Sequence, residues 1–175
     1  MKRKRFVLIV ILLLIISLFG CKDPYEGAIE GAWQDSNSLV GILFREDGTC
    51  DVTFAREFIT ETIYCKYLYS DGEVVIYNPQ LHAEDEFDLR DAMSTLGEKG
   101  IVILLNRDKK DGVVESYWLS SLDMKRSDSV SIRSMSDWTK ELAADGVSLN
   151  DAATVLNGSR DAERAIDWIQ DVLID

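Results

Sequence analysis

Reactive side chains are scarce in this 175-residue chain, and acidic ones are abundant. Cys21, Cys50 and Cys65 are its three thiols and His82 its one imidazole. A lone histidine leaves a Ser-His-Asp relay with one candidate base and a zinc shell without its second imidazole. No serine lies in a Gly-x-Ser-x-Gly turn. His82, Glu84, Asp85, Glu86, Asp88 and Asp91 form the densest group of oxygen donors, the ligand type Ca2+ takes. Their spacing follows no calcium loop and no glycine stands where a tight ligand loop needs one, so the stretch reads as a solvated acidic loop with His82 at the surface. Carboxylate pairs for glycoside chemistry are so numerous that they single out no site. The expectation is a protein that is not an enzyme, with no catalytic residue, metal or cofactor.

The thiols are more informative as a pair. Thr49–Ala55 alternates, with Cys50, Val52 and Phe54 on one face and Thr49, Asp51 and Thr53 on the other, the period of a half-buried strand. If Arg56–Ile59 connects it to a strand beginning at Thr60, paired residue numbers sum to 115. Cys50 then faces Cys65 and Val52 faces Ile63. Directly opposed residues lie about 4.5–5.5 Å apart, within disulfide range, and closing that loop stabilises by about 3 kcal/mol on the chain-entropy view. The alternative is two small buried residues. Phe54 opposite Glu61 sits awkwardly in this register.

Cys21 belongs to the leader. Lys2, Arg3, Lys4 and Arg5 precede a 14-residue uncharged run, Phe6–Phe19, apolar apart from Ser17. That length suits a secretory signal core and falls short of the roughly 20 residues a spanning helix needs. Leu18-Phe19-Gly20-Cys21 resembles the bacterial lipoprotein lipobox, which implies cleavage after Gly20 and a lipid on Cys21. The alternatives are an ordinary signal cut after Gly20, with Cys21 a plain thiol, and an uncleaved anchor. By the resemblance, residues 1–20 are the signal peptide and 21–29 a polar tether carrying Pro24 and Gly27. The protein is then expected in the cell envelope outside the cytoplasm, membrane-attached through Cys21. Lys22 stands where an inner-membrane retention signal would place Asp, which favours the outer membrane.

Losing the four leader cations takes the formal charge from −12 to −16. Such a chain is repelled by phosphate backbones and drawn to basic proteins or cations, although charge also serves plain solubility.

The expected fold class is α+β: an antiparallel β-barrel or bent sheet over residues 30–134, then a helical C-terminal subdomain over 135–175. Leu39–Arg45, Thr49–Ala55, Phe58–Tyr69, Val74–Tyr77, Ile101–Leu105 and Val113–Leu119 read as strands. Asp47-Gly48, Asp71-Gly72 and Asp111-Gly112 supply turns whose central residues need positive φ. Val130–Arg133 reads as a last strand. Within Leu81–Gly97, Leu89, Ala92, Met93 and Leu96 fall on one helical face, with an extended Glu86–Arg90 as the alternative. Ser136 is expected to cap a helix carrying Trp138 and Leu142, and Ser148 a second that stops at Asn157-Gly158. Ser159 opens a third, whose apolar face holds Ala162, Ala165, Ile166, Ile169, Val172 and Leu173. The helix-turn-helix look of this end does not imply DNA binding, because residues 136–175 carry three cations against nine acids.

Gly31-Ala32-Trp33 opens the first strand, and with it the segment Glu30–Arg133 resembles small lipocalin-like bacterial lipoproteins. The resemblance implies an indole across the barrel floor with an arginine packed over it, for which Arg133 is the matching candidate. Further lipocalin signatures are absent. Two functions compete. As a lipocalin-like module the protein holds a small apolar molecule against residues such as Phe44, Phe54, Tyr67 and Trp118. As an acidic interaction or inhibitor protein it engages a basic partner such as a lysozyme-like enzyme or a toxin. Nucleic acid is not an expected partner.

Overall fold

The computed structural model describes residues 29–70, 73–84, 101–104, 108–110, 113–147 and 149–174. Among the described residues nine strands come first: β1 (Gly31–Asp35), β2 (Val40–Phe44), β3 (Thr49–Ala55), β4 (Thr60–Ser70), β5 (Glu73–Tyr77), β6 (Ile101–Leu104), β7 (Asp108–Lys110), β8 (Val113–Leu119) and β9 (Leu122–Ser127). Two helices follow, α1 (Met135–Ala144) and α2 (Leu149–Leu173). The strands form one antiparallel sheet in the order β6-β5-β4-β3-β2-β1-β9-β8-β7. It curls until β6 meets β8, which makes the fold α+β and barrel-like.

Turn chemistry sets the register. Gly48 takes φ +78°, and Arg45 donates its N–H to the Thr49 carbonyl at 2.9 Å across the β2–β3 turn. The β1–β2 turn is built on Asp35, a buried carboxylate that accepts from the N–H groups of Leu39 at 2.7 Å, Val40 at 2.8 Å and Asn37 at 2.8 Å. β3 pairs β4 in the expected register, Cys50 with Cys65, Val52 with Ile63 and Phe54 with Glu61. The awkward Phe54–Glu61 pair is accommodated at the rim. Arg56 bonds the Glu61 carboxylate through Nε at 2.7 Å, and its guanidinium carbon lies 5.5 Å from the Phe54 ring centroid.

Three expectations are corrected. Val130–Arg133 is not a strand; β9 takes the place beside β1, and its charged residues Asp123, Lys125 and Arg126, the last at an inward position, hid it. Residues 128–134 instead cross the outer face of β1 and β2, with the Arg133 N–H donating to the Ser38 carbonyl at 3.0 Å. Helix α1 is capped by Ser134, whose hydroxyl accepts from Asp137 N–H, and not by Ser136. Helix α2 runs unbroken through Asn157-Gly158-Ser159. An interior glycine costs about 1 kcal/mol against alanine, a small penalty beside the burial of Ala162, Ala165, Ile166, Ile169, Val172 and Leu173. With no turn at 157–159, the helix-turn-helix likeness disappears. The helix expected within Leu81–Gly97 lies outside the described residues from Asp85 onward, together with Glu86, Asp88 and Asp91.

The sheet has two unlike ends. Ile29, the β2–β3 turn and the close of β9 share one, where the chain comes in from its N-terminal segment. The other carries the β1–β2, β3–β4 and β8–β9 turns and the helices. There the α2 stripe joins Trp33, Val40 and Phe54 in one core, and Asn78 Nδ2 donates to the Leu173 carbonyl at 2.7 Å.

Candidate functional site

Trp33 is fully buried and its Nε1 donates to the Ile29 carbonyl at 2.7 Å, aiming the indole at the N-terminal end of the sheet. The arginine over it is Arg126, with its guanidinium carbon 4.5 Å from the ring centroid. Arg126 is the register partner of Trp33 on β9, and its Nη1 donates to the Glu30 carbonyl at 2.8 Å. Gly31 makes room: it holds φ +110°, and a Cβ there would sit 3.4 Å from Arg126 Nη1. Arg133, the residue expected in this role, lies at the opposite end, ion-paired with Glu141 of α1. Its position followed from a strand that does not form.

Cys50 and Cys65 are both buried, and both are free thiols here. The Arg56 N–H to Ile59 carbonyl bond and the Tyr67 N–H to Gly48 carbonyl bond bracket the β3–β4 ladder. Alternation between them makes Cys50–Cys65 a hydrogen-bonded pair, for which Cα atoms lie about 5.5 Å apart. Burial pushes the Cys50 thiol well above its ordinary pKa, and the neighbouring Cys65 adds to the shift, so the pair is poorly suited to nucleophilic or metal-binding work as thiolates.

Of the residues expected to line a ligand cavity, Phe44, Phe54 and Tyr67 are parts of the packed interior. Phe44 and Phe54 are buried, and Phe44 meets Tyr67 edge-on at 5.1 Å. Tyr67 donates its hydroxyl to the Arg45 carbonyl at 2.6 Å, and burial pushes its pKa up to about 12. The Trp118 backbone pairs with Asp123, and its side chain lies outside the described residues. Tyr117 packs on Trp33 with ring centroids 4.9 Å apart. Its buried hydroxyl has no hydrogen-bond partner among the described residues.

Exposed apolar surface gathers at the helix end. Phe58 is 71 % and Ile59 66 % exposed, at the tip of the β3–β4 hairpin. The tip is held firmly, because α1 donates two of its first N–H groups to it, Met135 to the Arg56 carbonyl and Ser136 to the Glu57 carbonyl, both at 2.9 Å. A groove of about 460 Å3 lies between Phe58 and the Met135, Thr139 and Ala143 side of α1. A second, of about 450 Å3, lies between Glu57 and the Glu163, Ile166 and Asp167 face of α2. Glu57 and Met135 line both. Arg56, Lys140 and Arg164 are ion-paired within the chain, with Glu61, Asp137 and Asp161. Glu57, Glu163 and Asp167 have no cationic partner among the described residues.

The chain matches no family model, no curated protein and no solved structure. Among the described residues no helix is long and apolar enough to cross a membrane. Cys21 lies outside them. Sequence reasoning missed Arg126, Asp35 and the exposed tip. The signal for the tip was the four-residue connection Arg56–Ile59, which puts two bulky apolar residues in a turn.

Proposed function

We propose that this protein is a lipid-anchored envelope protein that engages a basic protein partner through the end of its barrel-like domain remote from the anchor. The observation that carries this reading is the firmly held tip, which offers Phe58 and Ile59 to solvent beside carboxylates that have no cationic partner among the described residues. Rigid aromatic anchors ringed by polar groups are what protein interfaces use. A formal charge of −16 without the leader adds electrostatic attraction for a basic surface and speeds encounter. The small-ligand reading draws less support, since Phe44 and Phe54 are spent on the core. The anchor rests on Leu18-Phe19-Gly20-Cys21. The chain enters the sheet at Ile29, so a lipid on Cys21 would tether the end opposite the tip.

Two measurements test this. Cys21→Ser should prevent lipidation and move the protein out of the membrane fraction; unchanged attachment and processing, with no lipid on residue 21 by mass spectrometry, removes the anchor. The soluble domain, residues 22–175, should bind lysozyme or another strongly basic protein in low salt and release it as ionic strength rises. Failure to bind any of a panel of basic proteins at low salt would refute the interaction reading.

A further inference from the structure

We infer that the two grooves flanking Met135 form one composite docking site for an extended peptide segment bearing a bulky apolar residue with lysine or arginine about three positions from it. The inference rests on the basic-partner reading above and names the feature of the partner that is recognised. The first groove is walled by the Phe58 ring and by Met135, Thr139 and Ala143 of α1. Lys140, the cation among its described lining residues, is occupied by Asp137 at 3.1 Å, which leaves an apolar slot suited to an aromatic or leucine side chain.

The second groove differs in character. Glu57, Glu163 and Asp167 line it, and its cation Arg56 is held by Glu61 at 2.6 Å. Glu163 and Asp167 are one turn apart on α2 and both exposed, so their carboxylates face outward on the same side. Cationic side chains entering here meet three carboxylates that have no cationic partner among the described residues. Because both grooves share Glu57 and Met135, one ligand segment can occupy both. The ridge between them is the end of one helix, about 10 Å across with its side chains, which an extended chain spans in about three residues. The expected motif is therefore an apolar anchor with one or two basic residues about three positions away. The docking elements are also pre-ordered: the α1 N–H bonds to the Arg56 and Glu57 carbonyls fix the hairpin tip against the helix, so binding pays little to arrange them.

A random 12-residue peptide display library, selected on the immobilised domain of residues 22–175, tests the site whatever protein the partner proves to be. Enriched peptides should carry an apolar residue and a basic residue at that spacing. Their affinity should fall at least tenfold with Phe58→Asp and at least tenfold with the double variant Glu163→Lys, Asp167→Lys, which should also flatten the salt dependence. Tyr64→Asp, on an exposed residue of β4 outside both grooves, should change affinity less than twofold. All these positions are exposed, and matched far-ultraviolet circular dichroism will confirm that the variants are folded. Enrichment of basic peptides whose binding ignores Phe58→Asp, or that lack an apolar residue, overturns the composite site while sparing the basic-partner reading. Enrichment of no basic peptides overturns both.

Discussion

Replacing Trp33 by alanine removes a fully buried indole, a change that costs about 3–5 kcal/mol when the surroundings cannot collapse into the space. The domain should lose that much stability in urea. Arg126→Ala forfeits the stack on the ring, 4.5 Å from its centroid, and the bond to the Glu30 carbonyl. Burial lowers the Arg126 pKa, yet the side chain keeps an outer edge in water, so the stack belongs near the weaker end of its range, about 0.5–1 kcal/mol. The carbonyl bond adds about 1 kcal/mol. In a double-mutant cycle the two losses should fall short of additive by about 0.5–1 kcal/mol, because either truncation destroys the same stack. Arg133 supplies the control: its exposed ion pair with Glu141 is worth less than about 1 kcal/mol, and it should show no coupling to Trp33. Chemical denaturation with a common m-value reads all four corners. Coupling below about 0.3 kcal/mol between Trp33 and Arg126, or larger coupling to Arg133, would refute this account of the barrel floor.

Asp35→Ala leaves two buried N–H groups, those of Leu39 and Val40, without an acceptor and should cost about 2–4 kcal/mol in the same assay; Asp35→Asn, which keeps one oxygen, should recover part of it, and equal small losses for both would contradict the role. Protein matured under oxidising conditions should carry a Cys50–Cys65 disulfide that alkylation of the denatured chain fails to label, and reduction should lower stability by about 3 kcal/mol. Two reactive thiols per denatured molecule would remove that proposal. The Tyr67 hydroxyl ionises near 12 instead of 10 because burial disfavours its anion. A raised folded-state pKa gives stability that is complete below pH 10 and lost as pH rises through about 12. Tyr67→Phe should therefore flatten the fall in stability across that window and delete one late phenolate step from an absorbance titration; an unchanged alkaline profile counts against it.

The β3–β4 register was legible residue by residue because three local constraints agree there: strict alternation over Thr49–Ala55, a turn of definite length and a polar outer face. A one-residue slip would have turned Cys50, Val52 and Phe54 outward. β9 was illegible for the opposite reason. Leu122–Ser127 has charged residues at three of its six positions, and its inward Arg126 is tolerated only because a long side chain reaches the rim and lies on an indole that local pattern cannot see. Naming Arg133 followed from that missing strand. The continuity of α2 was hidden similarly: Asn157-Gly158 is a stop signal locally, and the long-range burial of Ile169 and Leu173 overrides it. Periodicity also treats Phe58 and Ile59 as core material, since alternation reports which face a residue occupies and not whether its strand has already ended.

Gly41 has a consequence for the order of assembly. A Cβ on it would come within 2.6 Å of a Val130 methyl group, 2.9 Å of Ile132 and 3.2 Å of the Trp33 carbonyl, so the crossing segment lies directly on the backbone of β2. That segment joins β9 at one end of the sheet to α1 at the other, so laying the crossing over β2 and seating the helices are linked through the chain. Until α2 caps the helix end, Val40 and Phe54 lack its cover. A side chain at position 41 would lift the crossing and delay the cap, lengthening the interval in which those residues face solvent. Its first symptom should be slower refolding and aggregation during it, out of proportion to the stability lost.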